Sequence, residues 1–68
     1  MDVWVAVEMP YEGGFYVIGV YSSVKKAMKA VERNNKFEQF DWIKMGGDWH
    51  ATYRGDRYEV ISLKVDEQ

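Results

Sequence analysis

His50 is the only imidazole in the chain, and Asp48 and Glu59 stand close enough in sequence to orient it. An imidazole beside a carboxylate is a fragment of an acid–base pair, able to move a proton near neutral pH. No third member accompanies it. Ser22 and Ser23 lie outside any nucleophile-elbow sequence, and Thr52 and Ser62 have no supporting context. His50 therefore reads as a surface or half-buried histidine. Cysteine is absent, which removes disulfides, thiolate nucleophiles and cysteine-based metal sites, and one histidine does not make a zinc site. Neither Gly13-Gly14 nor Gly46-Gly47 opens a helix with the spacing that aims amides at a phosphate, so both read as turns. Arg54-Gly55-Asp56 spells a cell-attachment tripeptide but reads as a hairpin turn. No catalytic residue, metal or cofactor follows from these residues, and an enzyme is the last reading of the chain.

Two other sets carry binding chemistry. Trp42, Trp49, Tyr53 and Tyr58 lie in the later part of the chain, where rings displayed on a sheet anchor a protein partner or stack bases. The competing reading is core filling. The chain has three Trp, five Tyr and three Phe. That is more ring than one helix covers, so exposed aromatic area is expected. Lys25, Lys29 and Arg33 form a second set on one face of a helix, with Lys26 and Lys36 nearby. They suit an acidic partner or phosphates, or simply solvate the face. Residues 22–36 carry a local +4 within a chain of net charge −2, which leaves −6 elsewhere. A basic helix over an acidic sheet is expected. The acidic balance and Asp41, Asp48, Asp56 and Glu59 among the later rings argue against nucleic acid.

The elements that must position these residues are legible from periodicity. Residues 2–9 alternate, with Val3, Val5, Val7 and Met9 on one face and Trp4 and Ala6 on the other. The valine face is expected to be core, and the second face at least partly covered. Pro10 to Gly14 turns the chain into a second strand, Phe15 to Tyr21. In that strand Gly19 marks a bulge or lets a bulky neighbour such as Trp4 lie flat. Ser22 or Ser23 caps a helix from Val24 to Arg33, whose Val24, Ala27, Met28 and Val31 pack on the sheet. Asn34-Asn35 reads as its left-handed terminus. Phe37 to Phe40 is a link whose rings tuck under the helix end, and Asp41 to Met45 a third strand. Trp49 to Tyr53 and Tyr58 to Val65 bracket the turn Arg54 to Arg57. The adjacent Val60 and Ile61 point to a bulge or to burial on both faces. Asp66 to Gln68 reads as a frayed tail.

The order is ββαβββ: an α+β fold in which one amphipathic helix packs on one face of an antiparallel sheet, with residues 1–68 as a single domain. A domain of this size buries only about 60% of its unfolded surface, so it gains stability by dimerising. No apolar run approaches the ~20 residues of a membrane helix, and no basic leader precedes the first strand. A cytoplasmic protein is expected.

Val3-Trp4-Val5-Ala6-Val7-Glu8, then Gly19-Val20-Tyr21-Ser22-Ser23 with Lys26-Ala27 and Val31, resemble small uncharacterised proteins of bacteriophages and their bacterial hosts, in which a Val-rich hairpin leads into a Ser-Ser-capped helix. The resemblance covers residues 3–31. It implies an accessory protein that binds and modulates a host component in the host cytoplasm, and it brings no catalytic residue. The leading expectation is a non-enzymatic interaction module that binds a protein partner or itself as a homodimer, through exposed rings or a free strand edge. The alternatives are a single-stranded nucleic-acid binder using the basic helix and an oligomer that sequesters a small ligand.

Overall fold

The computed structural model describes residues 1–36 and 39–65. Phe37 and the segment 66–68, expected above as a tucked ring and a frayed tail, lie outside the described residues. The elements are β1 (Asp2–Met9), β2 (Tyr16–Tyr21), α1 (Val24–Asn34), β3 (Ile43–Met45), β4 (Asp48–Tyr53) and β5 (Asp56–Lys64). They form one antiparallel sheet in the order β2-β1-β5-β4-β3. The expected ββαβββ architecture is the one observed. The first and last strands pair along their length, from Asp2 opposite Lys64 to Met9 opposite Arg57, and the Val65 N–H closes the ladder on the Met1 carbonyl at 2.7 Å.

Local chemistry explains where each element starts and stops. Ser23 is the N-cap of α1, its Oγ accepting from the Lys26 N–H at 3.1 Å. At the other end the Asn35 side-chain amide donates to the Val31 carbonyl at 2.8 Å. Left-handed backbone falls on Lys36, φ 62°, and not on Asn34-Asn35 as expected, because Asn35 at φ −113° uses its side chain to hold the helix end. Arg54 and Gly55 both have positive φ, 54° and 86°, the signature of a two-residue type I′ hairpin between β4 and β5.

α1 lies over β1, β2 and β5. The core beneath it is Ala6, Ala27, Val31, Phe40, Ala51, Tyr58 and Val60. The helix therefore covers the even face of β1, the face of Trp4 and Ala6; on the valine face, expected to be the core, Val7 is fully buried but Val3 and Val5 are only half-buried, and that expectation is corrected. The reason is shape. Gly19, Ala6 and Val60 form one row across three strands; the Tyr21 ring, and not Trp4, lies over Gly19, while the small Ala6 leaves room for Ala27 and Val31. Two expectations about irregular backbone also resolve. The bulge falls in β2, where the register shifts between Ala6 and Val7 and Ile18 is the extra residue, while β5 pairs with β1 without a shift. Val60 and Ile61 are adjacent because the first faces the helix, where it is buried, and the second faces the other side, where it is half-buried.

Candidate interaction surface

The four rings expected to meet a partner lie on the helix side of the sheet. Trp49, Ala51 and Tyr53 of β4 register with Val60, Tyr58 and Asp56 of β5, all on that face. Phe40 fills the space beyond the end of α1. Its ring stands 5.0 Å from Tyr53, 5.1 Å from Tyr58 and 5.8 Å from Trp42. Trp42 is tied to the helix, its Nε1–H donating to Glu32 Oε2 at 3.2 Å, and Lys44 Nζ lies 5.9 Å from the centroid of the Trp49 ring. Trp42, Trp49 and Tyr53 are half-buried against the core.

Tyr58 is 1% exposed, which withdraws it from any contact with a partner. Its placement corrects the expectation of an anchor: it stands between the sheet and the end of the helix. The hydroxyl lies 3.0 Å from Glu8 Oε2 and 2.9 Å from Asn35 Oδ1, and its single proton is shared between these two acceptors. Burial, then the neighbouring Glu8 carboxylate, push its pKa from 10.0 up to about 12. Exposed rings do occur, but at the opposite end of the chain, in Tyr11, Phe15 and Tyr16 around the first hairpin.

The side of the sheet away from α1 has no covering element among the described residues. The register lays it out in rows. Val17, Val7, Glu59, His50 and Ile43 form one row across all five strands. Val20, Val5 and Ile61 form the next, and Val3 opposite Leu63 lies beyond it. Val17, Val20, Ile43, Met45 and Leu63 are each between 51% and 61% exposed. In the middle, His50 Nδ1 meets Glu59 Oε1 at 3.0 Å across the β4–β5 ladder. Asp48, the other carboxylate near the imidazole in sequence, has its Oδ1 occupied by the Ser62 N–H at 3.1 Å. The pair is a polar island in an aliphatic surface, with Arg57 in the following row. Among the described residues no group of three or more His, Asp or Glu is assembled as a metal site, and no helix is long and apolar enough to cross a membrane.

Sequence reasoning missed this surface because alternation assigns residues to two faces without saying which face the helix takes. The signal was present in the odd-numbered valines of β1 and in the Val60-Ile61 adjacency, which together require apolar residues on both sides. The basic set is placed as expected, with Lys25, Lys29 and Arg33 exposed on α1. Compared with known proteins, the chain matches no family model, no curated protein sequence and no solved structure.

Proposed function

We propose that the chain is a non-enzymatic protein-interaction module that works as a homodimer through the helix-free face of its sheet. The observation that carries this reading is the set of five large aliphatic side chains, Val17, Val20, Ile43, Met45 and Leu63, each half or more exposed on one side of one sheet. Its dimensions agree. Five strands at about 4.8 Å spacing and about 3.3 Å per residue give a face of roughly 20 by 25 Å. That is about the 500 Å² per partner at which specific association begins. Its charges suit a second copy. Asp48, Glu59 and Arg57 place both signs on the same patch, so two identical faces can set the arginine of one against a carboxylate of the other.

The resemblance of residues 3–31 to phage and host accessory proteins supports a further part of the reading, that the dimer binds and modulates a host protein in the host cytoplasm. A nucleic-acid function has less support, since the chain carries a net charge of −2 and Asp41, Asp48, Asp56 and Glu59 stand among the later rings. Sedimentation of the wild-type chain is expected to give a dimer, and the double variant Ile43→Lys/Leu63→Lys a folded monomer by circular dichroism. A wild-type chain that stays monomeric up to about 1 mM, or a double variant that still dimerises, overturns the proposal.

A further inference from the structure

β2 is an outer strand with nothing paired to its free side among the described residues. From Phe15 to Tyr21 it holds neither a charge nor a proline. Natural edges are protected by lysines, prolines, bulges or brevity. The opposite edge, β3, uses two of these, being three residues long with Lys44 at its centre. β2 has six residues and the bulge alone.

The second observation is the charge beside that edge. A groove of about 230 Å³ runs between Tyr21 of β2 and Lys26, Lys29, Ala30 and Arg33 of α1. Gly19 is part of this arrangement. A Cβ built there would stand 2.5 Å from the Tyr21 hydroxyl, so the absent side chain lets the tyrosine lie along its own strand. The helix side of the open edge is thus lined by cations, and its other side by Val17 and Val20, both exposed.

We infer that β2 is the docking edge for an extended segment of another protein, which adds as a sixth strand and carries acidic residues on the helix side alternating with apolar residues beside Val17 and Val20. Backbone hydrogen bonds to the free edge supply affinity, and the two sides of the added strand supply specificity. The spacing fits. Lys26 to Arg33 spans about 10 Å of helix axis, while alternate residues of a strand stand about 7 Å apart, so two acids two positions apart face the cations together. This inference deepens the interaction-module reading but does not need the dimer, because a monomer presents the same edge.

The test uses a capped seven-residue peptide alternating Val and Glu, with two controls: the same length alternating Val and Lys, and a peptide of the first composition with its Glu residues in one block. The first peptide is expected to bind and to slow amide exchange in β2. Reversing charge with Lys26→Glu/Lys29→Glu is expected to weaken it about tenfold, the effect of two exposed ion pairs lost, and to admit the lysine peptide instead. Both lysines are exposed, and a glutamate at position 26 suits the first turn of a helix, so the variant keeps its fold. Ile43→Lys/Leu63→Lys, on β3 and the central β5 and not on the β2 edge, is expected to bind the peptide unchanged, which separates this result from the fate of the dimer. No binding up to about 1 mM peptide, equal binding of either control, or exchange protection confined to β3 overturns the inference.

Discussion

Tyr58 joins three elements through one atom. Its ring fills the core beside Phe40, and its hydroxyl sits between Glu8 of β1 and Asn35 at the end of α1. Tyr58→Phe keeps the ring and removes the proton that both oxygens share. A loss of about 1 kcal/mol in urea unfolding is expected, because a hydrogen bond is removed and two half-buried acceptors lose their donor. The same contacts set a pH dependence. The folded pKa is raised from 10.0 to about 12, so the folded state favours the neutral phenol. The resulting stability is complete below pH 10 and is lost as pH rises through 12. The wild-type midpoint is expected to fall more steeply between pH 10 and pH 12 than that of Tyr58→Phe, and parallel curves contradict this account. In the sequence Tyr58 is indistinguishable from Tyr53, two β4–β5 aromatics of the same kind. What separates them is the helix end and Glu8, and neither neighbour is near Tyr58 in the chain.

At the scale of elements, the β4–β5 turn carries a conflict that one substitution resolves. Arg54 occupies a left-handed position, φ 54°, which costs a residue with a Cβ roughly 1 kcal/mol. Part of this is offset where its guanidinium lies 5.2 Å from the centroid of the Tyr53 ring, an exposed contact contributing about 0.5 kcal/mol. Arg54→Asn gives the Asn-Gly pair favoured in type I′ turns and is expected to raise stability by about 0.5 kcal/mol in thermal or urea unfolding. A loss of stability would mean that the ring contact outweighs the backbone. Element identity was legible in the chain because period two and period 3.6 are properties of consecutive residues: the strand at residues 2–9 and the Ser23-capped helix both follow. Details of the helix end were not. Asn34-Asn35 has the composition of a left-handed terminus, yet Asn35 is needed by Val31 and by Tyr58, and the turn moves on to Lys36.

Among the described residues, the whole molecule is a sheet covered by other elements on one side only. α1 and the segment around Phe40 and Trp42 enclose the helix face, and on the other face Val7 is buried while Val17, Val20, Ile43, Met45 and Leu63 remain half exposed. The expectation of apolar surface left over by so short a chain thus finds its counterpart in valine, isoleucine, leucine and methionine, with exposed rings, among the described residues, at the first hairpin. Side-chain type told how much apolar area exists, and only the position of the helix told where it lies. Ala6 helps decide that position by leaving room for Ala27 and Val31, a signal of absence that alternation does not register. The face and the β2 edge meet at Val17 and Val20, the face offered to a second copy and the edge to an acidic strand. The most direct measurement is a dilution series followed through the methyl resonances. Concentration-dependent shifts at Val17, Val20, Ile43, Met45 and Leu63, with Ala27 and Val31 unmoved, are the predicted result. Shifts that gather on α1, or none at any concentration, would contradict the helix-free face as the interface.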